Sequence, residues 1–319
     1  MLLFNLDHDT RLADALALEL DEPLSPHEER RFEDGEIKLR PLVDPRGADV
    51  YVLVSLHGGP DESPHDKLCR LLFFAAGLRD HGAARVTAVV PYLAYARKDR
   101  RTKPFDPVTL RYVAQMVEAV GVSQLIVLEA HNIAALENAF RCTTLTLDAH
   151  RAFDAWVPAL AEKHPVAVAS PDPGGVKRAQ LWREALAAQL GATPGFAMID
   201  KRRSAGLLSS EDLVAGDVAG TAVLLLDDLI ASGETMRRAA LALRRAGAHK
   251  VIGCAAHGLF IGDAGTVLAD TALDALWITD SVPAFRLPDE AQVRQKLRVA
   301  STMPLFAEAI RACRDSWLR

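Results

Sequence analysis

The strongest constraint on the fold is an alternation of short apolar runs with longer amphipathic segments. In the first half, DVYVLVSL (49–56) is followed by DKLCRLLFFAAGLRDHG (66–82), and RVTAVVPYL (85–93) is followed by LRYVAQMVEAVG (110–121). The second half repeats this rhythm with PVAVASPD, AQLWREALAAQLG, TAVLLLDD, ETMRRAALALRRAG and HKVIGCAAHG. Apolar runs of this length indicate strands buried on both faces and joined by crossover helices. The pattern predicts an α/β fold of two similar domains, each a mainly parallel sheet flanked by helices.

An internal similarity bears on how the two halves are related. LRDHGAARVTAVV (78–90) and LRRAGAHKVIGCA (243–255) align without gaps, and each carries a Gly-Ala pair where a helix would give way to a strand. Two explanations stay open, a duplicated α/β domain and a junction that any helix-glycine-strand segment would share. We expect an N-terminal domain over 1–148 and a C-terminal domain over 149–299, with the last helix, 300–319, packing on the first domain.

Charge and cysteine content narrow the classes of partner. The chain has 319 residues and a formal net charge of −5, and its densest basic run is ARKDRR, which gives little electrostatic support for binding nucleic acid or a membrane surface. Its 4 cysteines form no CxxC pair, and the first residues, MLLFNLDHDTRLAD, lack the apolar core of a signal peptide. We therefore expect a cytoplasmic protein with free thiols that acts on small molecules.

The segment VLLLDDLIASGET (223–235) combines two features of a sugar phosphate site. An apolar strand ends in Asp227 and Asp228, and a short turn with Ser232 and Thr235 then opens a helix. Free N–H groups at a helix amino terminus favour a phosphate, and the vicinal carboxylates suit ribose hydroxyls or a metal ion. The alternative is a strand end whose acids only cap the next turn, although acids that follow four apolar residues are costly unless paired.

Seven segments in order along the chain resemble one family. They are RFEDGEIKLR, VVPYLAYARKDRR, VLEAH, ASPDPGGVKRA, MIDKRR, VLLLDDLIASGET and LFAEAIR. VLLLDDLIASGET is similar to the phosphoribosyl-diphosphate motif of the type I phosphoribosyltransferase fold, and the set resembles the ribose-phosphate pyrophosphokinases. The resemblance implies a Mg²⁺-dependent enzyme of nucleotide biosynthesis that transfers the diphosphoryl group of ATP to the anomeric hydroxyl of ribose 5-phosphate.

The resemblance also implies roles for particular residues. Lys201 and Arg203 would be catalytic, and His131 and Asp172 would be Mg²⁺ ligands, with His131 acting through a water. The implied ATP-binding residues are Phe32, Asp34, Glu36, Arg97 and Lys98. The implied ribose-5-phosphate-binding residues are Asp227, Asp228, Ala231, Ser232, Gly233, Glu234 and Thr235. Phe32, Asp34 and Glu36 resemble a segment that grips adenine from a neighbouring subunit, so the family implies a homo-oligomer, at least a dimer.

The chain departs from the common family pattern at several positions. Ala231 and Glu234 replace an aspartate and a glycine of the phosphate loop, Glu129 stands for an aspartate, and Lys98 stands for a glutamine. Glu234 places a like charge beside the phosphate site, which costs affinity unless its side chain turns outward. The chain also ends soon after LFAEAIR, from which we expect an enzyme without the usual regulation by ADP and phosphate.

Two other functions are compatible with parts of this pattern. A catalytically silent paralogue could retain the fold and associate with an active synthetase as a regulatory subunit, but such a chain would be expected to have lost part of the catalytic set. A phosphoribosyltransferase that consumes phosphoribosyl diphosphate would share the phosphate loop. It predicts neither YARKDRR nor RFEDGE, so it ranks last.

Overall fold

The structure, a computed structural model, describes residues 1–200 and 213–317. The chain folds into two compact units. The first unit comprises Met1–Asp148 and Thr302–Arg319, and the second comprises Ala149–Ser301. We propose that these units are the two domains of the chain, with the C-terminal helix belonging to the first.

The strands and helices alternate along most of the chain. The strands are β1 (Leu2–Asn5), β2 (His27–Arg31), β3 (Ile37–Pro41), β4 (Asp49–Leu53), β5 (Arg85–Val90), β6 (Gln124–Leu128), β7 (Thr143–Leu147), β8 (Val166–Ser170), β9 (Gly195–Asp200), β10 (Leu213–Ala215), β11 (Ala222–Ile230), β12 (Lys250–Gly258), β13 (Ala275–Thr279) and β14 (Leu297–Ala300). The α-helices are α1 (Arg11–Leu20), α2 (Pro64–Asp80), α3 (Thr109–Ala119), α4 (Ile133–Ala139), α5 (Val157–Ala161), α6 (Val176–Leu190), α7 (Glu234–Arg245), α8 (Ala264–Val267) and α9 (Met303–Trp317).

The first unit is built on a parallel sheet with the strand order β1-β4-β5-β6-β7. Every residue of β4 and β6 is buried, as expected for strands covered on both faces. Val50 and Val52 of β4 pack in one core with Leu71 and Phe74 of α2 and Val113 of α3. Helix α9 packs against α1. Strands β2 and β3 form a separate antiparallel hairpin.

Two basic residues of α2 are buried in the first unit. Only 1% of the Arg70 side chain is exposed, and its Nη2 lies 3.0 Å from Glu29 Oε1 of the hairpin and contacts Glu62. Lys67 Nζ lies 2.7 Å from a carboxylate oxygen of Asp7, which follows β1. Because a buried charge is tolerated only when it is paired, these contacts require the loop after β1, the hairpin and α2 to keep their mutual positions.

The second unit is a sheet with the order β10-β9-β8-β11-β12-β13-β14, in which β10 runs antiparallel to β9 and the other pairs are parallel. Successive side chains of the central strand β11 point to opposite faces of the sheet, so this strand contributes to the hydrophobic cluster on each face. Val223 and Leu225 pack in a cluster with Met236 of α7. Leu224 and Leu226 pack on the opposite face of the sheet in a cluster with Trp182 of α6.

The predicted α/β class, with mainly parallel sheets flanked by helices, is confirmed. The two aligned helix-strand junctions also share their conformation, because Gly82 has φ +84° and Gly247 has φ +91°. Both glycines end a helix in the left-handed region that residues with a Cβ rarely adopt. In the described part of the chain, no helix combines the length and the apolar character needed to cross a membrane.

Candidate active site

The predicted phosphate loop connects β11 to α7 at the carboxyl edge of the second sheet. Gly233 caps α7 with φ +83°, and a Cβ at this position would lie 2.6 Å from Leu268 Cγ. The N–H of Arg237 donates to the Gly233 carbonyl at 2.8 Å, which begins the helical ladder. The N–H groups that precede it at a helix amino terminus have no partner within the helix, and they lie at the positive end of its dipole. The geometry suits a bound anion.

The hydroxyl-bearing side chains of this loop are accessible to solvent. Ser232 is exposed and Thr235 is half-buried. The Glu234 side chain, 57% exposed, lies 3.2 Å from Arg237 Nη2, one turn further along α7. Arg237 also lies 3.5 Å from Asp270. The Glu234 carboxylate is therefore exposed to solvent, and Arg237 offsets part of its charge along the helix. The Ala231 carbonyl accepts from the N–H of Ile261 at 3.0 Å, which fixes the start of the loop.

Asp227 and Asp228 lie beside this loop because β11 is longer than its neighbour. Strand β11 pairs with β8 as far as Leu225 but follows β12 to Ile230. The Asp228 N–H donates to Asp227 Oδ1 at 2.9 Å. Burial, followed by the neighbouring Asp228 carboxylate, raises the pKa of Asp227 well above its usual range, and Arg178 opposes this shift. A carboxyl with a raised pKa gains from a nearby cation or hydroxyl donor that stabilises its ionised form.

Asp172 follows β8 on the same edge of the sheet. Its Oδ1 accepts hydrogen bonds from the N–H groups of Gly174 at 2.9 Å and Gly175 at 3.2 Å, which orients the carboxylate. The Ser170 hydroxyl donates to the Asp172 carbonyl at 2.7 Å. A Cβ on Gly175 would lie 2.6 Å from Ser170 Oγ, so glycine is required for this turn.

The carboxyl ends of β9, β8 and β11 are consecutive along the second sheet. This edge therefore brings together Asp172, the acidic pair and the phosphate loop, and open parallel sheets bind ligands at that edge. Strand β9 ends at Asp200. The predicted catalytic residues Lys201 and Arg203 follow it and lie outside the described residues.

His131 follows β6 at the carboxyl edge of the first sheet. Glu129, buried at the end of this strand, has φ +45°, and its N–H donates to the Leu147 carbonyl at 2.9 Å. Asn132 comes directly after His131 and caps α4, because its Oδ1 accepts from the N–H of Ala135 at 3.1 Å. The turn that presents His131 is thus held at both ends.

Arg97 and Lys98 lie in the 91–108 loop, between β5 and α3. Lys98 Nζ donates to Asp106 Oδ2 at 2.7 Å, and the same oxygen accepts from the Thr102 hydroxyl at 2.7 Å and the Lys103 N–H at 3.0 Å. The hydrogen bond from Lys98, followed by the bonds from Thr102, lowers the pKa of Asp106 far below its usual range. The loop contains no helix or strand, and its internal hydrogen bonds converge on Asp106.

Phe32, Asp34 and Glu36 lie at the turn of the β2-β3 hairpin. The Phe32 N–H donates to the Glu36 carbonyl at 2.8 Å, and Asp34 Oδ1 accepts from the Glu36 N–H at 3.0 Å. The Asp34 and Glu36 side chains are exposed, and Phe32 is half-buried with the Arg30 guanidinium 4.9 Å from its ring centroid. The three residues share the turn of this separate two-stranded hairpin.

Three residues that the sequence reasoning did not select lie next to the predicted ones. Arg178 belongs to the segment ASPDPGGVKRA and acts on the Asp227 carboxylate. Asp106 organises the 91–108 loop, and Asn132 adjoins His131. Arg178 has a usable sequence signal, because it lies within a turn of the start of α6 after a glycine pair. The other two depend on contacts that sequence spacing does not reveal.

Comparison with family models covers nearly the whole chain. Residues 1–121 match a model described as the N-terminal domain of ribose phosphate pyrophosphokinase. Residues 147–258 match the phosphoribosyl transferase domain, and residues 210–316 match the phosphoribosyl synthetase-associated domain.

Curated relatives and a solved structure agree with these matches. Ribose-phosphate pyrophosphokinase from Pasteurella multocida is 36% identical over 289 residues, covering 88% of this chain and 85% of the relative. The enzyme of that name from Caldanaerobacter subterraneus is 33% identical over 308 residues, with 97% and 93% covered. The crystal structure of phosphoribosylpyrophosphate synthetase from Mycobacterium smegmatis superposes with a TM-score of 0.85 at 30% identity, covering 99% of each chain.

Proposed function

The chain belongs to the ribose-phosphate pyrophosphokinase family, and from that premise we propose that it transfers the β,γ-diphosphoryl group of ATP to ribose 5-phosphate. The predicted family and its phosphoribosyltransferase-like fold are confirmed, and the chain is a kinase-type transferase. In the proposed reaction, the anomeric oxygen of the sugar bonds to the β-phosphorus of ATP and loses its proton. The bond from that phosphorus to the oxygen shared with the α-phosphorus breaks, which releases AMP and 5-phosphoribosyl 1-diphosphate.

The observation that carries this proposal is the phosphate loop beside two vicinal carboxylates. The N–H groups at the start of α7, with the hydroxyls of Ser232 and Thr235, suit the 5-phosphate of the sugar. Asp227 and Asp228 suit its ribose hydroxyls, because ionised carboxylates accept hydrogen bonds from such donors. The ion pair between Glu234 and Arg237 supports this assignment, since it offsets part of the charge of the one acid within the loop.

Catalysis of this transfer depends on positioning and on neutralising charge rather than on covalent help. We assign the transition-state contacts to Lys201 and Arg203, which follow β9 beside the strand that leads to Asp172. Arg97 and Lys98 of the 91–108 loop are assigned to the ATP phosphates. Closure of this loop would exclude water that could otherwise hydrolyse ATP.

Asp172 and His131 fit a role with Mg²⁺. In residues 1–200 and 213–317, no three His, Cys, Asp or Glu side chains form a cluster that could hold a metal ion alone. This suits Mg²⁺, which commonly takes one or two carboxylates and completes its shell with waters and substrate phosphates. Asp172 offers an oriented carboxylate, and His131 would act through a water. When bound, the ion would neutralise phosphate charge during the transfer.

Release of AMP tests the proposal directly. The purified protein is incubated with ATP, with and without ribose 5-phosphate and with and without Mg²⁺, and AMP is quantified. AMP that forms only when both are present supports the proposal, and folded protein that forms none contradicts it. The alternative of a silent regulatory subunit predicts no AMP, but the comparisons do not favour it, because the relatives carry the enzyme's name.

The predicted absence of the usual regulation stays a prediction. The same assay, repeated over a range of phosphate and ADP concentrations, tests it. Strong activation by phosphate, together with inhibition by ADP that is not competitive with ATP, would contradict it.

A further inference from the structure

We propose that Asn132 is a positioning residue that holds the 91–108 loop beside His131. Asn132 Nδ2 donates to Asp99 Oδ2 at 2.9 Å across 33 residues of chain. Asp99 is two residues after Arg97, and Asn132 is one residue after His131. A single hydrogen bond therefore links the loop that carries Arg97, assigned to ATP, with the turn that carries His131, assigned to the metal ion, and this role rests on the proposed function.

The Asn132 side chain is suited to holding the loop because its amide oxygen and its amide nitrogen each make a hydrogen bond. Its Oδ1 accepts from the Ala135 N–H at 3.1 Å, which caps α4, and its backbone is extended with φ −146° and ψ 105°. The cap fixes the rotamer of the side chain and so aims the amide nitrogen at Asp99. A donor that is already held loses little conformational entropy when it forms its bond. A carboxylate acceptor also makes the bond stronger than one between neutral groups.

The other bonds of the loop lie within it or attach its two ends. At its amino end, the Tyr92 carbonyl accepts from the Leu56 N–H at 2.9 Å, and the Tyr95 hydroxyl contacts His65 of α2. Asp106 binds Lys98, Thr102 and Lys103, all within the loop, so these bonds shape the loop without attaching it to the sheet edge. The Lys98 carbonyl accepts from the Leu110 N–H at 3.3 Å, which attaches the loop to the start of α3. The bond from Asn132 attaches Asp99 to a different strand end, the one that carries His131.

Limited proteolysis measures this attachment without any need for activity. The loop contains the trypsin sites Arg97, Lys98, Arg100 and Arg101, whereas Lys103 precedes a proline and is not cleaved. Asn132→Ser keeps a good helix cap but is too short to reach Asp99, and it adds no charge next to His131. Because cleavage follows local opening, loss of one charged hydrogen bond should raise the cleavage rate in the loop by about fivefold.

The partner residue provides matched variants. Asp99→Ala should raise the cleavage rate in the loop as much as Asn132→Ser, and the double variant should match either single one, because both remove the same bond. Asp99→Asn keeps an acceptor oxygen but loses its charge, so its cleavage rate should lie between those of wild type and Asp99→Ala. Asn138→Ser is the control, because Asn138 lies on the same helix but donates to the Ala134 carbonyl at 2.7 Å instead. Cleavage sites are identified by mass spectrometry.

Kinetics test whether the attachment serves ATP binding. Asn132→Ser should raise KM for ATP by about three- to tenfold and leave KM for ribose 5-phosphate within about twofold, because the bond positions Arg97 and not the phosphate loop. Cleavage rates in Asn132→Ser and Asp99→Ala within about twofold of wild type would overturn the proposal. Faster cleavage with an unchanged KM for ATP would also overturn it. If the wild type forms no AMP, the proposed function fails, while proteolysis still decides whether Asn132 holds the loop.

Discussion

The Asp227 carboxyl is held in an environment that favours its neutral form. Burial, followed by the adjacent Asp228 carboxylate, raises its pKa, so the ligand-free protein keeps a proton there up to a higher pH than the unfolded chain does. Such an arrangement is unfavourable for stability at neutral pH. It is suited to a site that meets ribose hydroxyls or a cation, because those partners favour the ionised form.

The first prediction concerns the stability of the Asp227→Asn variant. The pKa of this carboxyl is higher in the folded protein than its value of 3.8 in the unfolded chain. It therefore stabilises the fold at pH values below 3.8, and this contribution is lost as the pH rises through the pKa of the folded protein. Asparagine mimics the neutral form at every pH. In EDTA, the variant should therefore melt a few degrees higher than wild type at neutral pH, and the gain should shrink as the pH falls toward 3.8.

Activity and a control variant complete this test. Asp227→Asn should lower kcat/KM for ribose 5-phosphate by about 10- to 100-fold, since a charged hydrogen-bond acceptor is lost. Asp263→Asn, at an exposed position, should change neither the melting temperature nor its dependence on pH. A gain in melting temperature for Asp227→Asn that is the same at every pH would show that titration is not its cause.

The second prediction concerns Lys201. Loss of a preorganised contact to the transition state typically lowers turnover by a factor on the order of 10² or more, and we expect this for Lys201→Ala. Thermal unfolding should be unchanged. Lys163→Ala, an exposed lysine on the same unit, serves as the control and should keep wild-type turnover. Near-normal turnover of Lys201→Ala would remove this residue from the catalytic set.

At the scale of elements, the junction of β11 and α7 depends on one glycine. Gly233→Ala forces a side chain into the left-handed region and places Cβ 2.6 Å from Leu268 Cγ. We expect a loss of about 1–3 kcal/mol in the free energy of unfolding, measured by urea denaturation. KM for ribose 5-phosphate should rise, because the N–H groups at the start of α7 would move.

A glycine at a second helix-strand junction separates the effect on stability from the effect on KM for ribose 5-phosphate. Gly247→Ala has the same strain, with φ +91°, but its Cβ would lie 3.4 Å from Ala219, which is tight but does not force a clash. Gly247 lies between α7 and β12, at the opposite end of the helix from the phosphate loop. This variant should lose stability with KM for ribose 5-phosphate unchanged. A Gly233→Ala variant with a normal KM would argue against the loop as the phosphate site.

Elements with local signals were predictable, and those that depend on distant partners were not. The strand-turn-helix at 223–235 follows from four apolar residues, a glycine and an amphipathic stretch, which are local properties. Lys67 and Arg70 look like the solvent side of α2 in sequence, yet they are buried because Asp7, Glu29 and Glu62 are brought to them by other elements. The bond between Asn132 and Asp99 likewise spans 33 residues.

At the scale of the whole molecule, the hairpin β2-β3 raises the question of how a complete site is assembled. Phe32, Asp34 and Glu36 share a surface turn, and the Asp34 and Glu36 side chains are exposed. The family resemblance assigns this turn to the adenine of a neighbouring subunit. If that assignment holds, each site takes its hairpin from one chain and its phosphate loop and catalytic residues from another, and a symmetric oligomer is required for activity.

Mixed oligomers distinguish a shared site from one completed within a single chain. We expect a Phe32→Ala/Glu36→Ala variant and a Lys201→Ala variant to be inactive alone. In a mixed dimer, the Lys201→Ala chain would lend its intact hairpin to the intact catalytic residues of its partner, giving one working site of two. Because half of randomly formed dimers are mixed, coexpression at equal levels should restore about a quarter of the wild-type rate of AMP formation. A site completed within one chain predicts no more activity than the sum of the two variants.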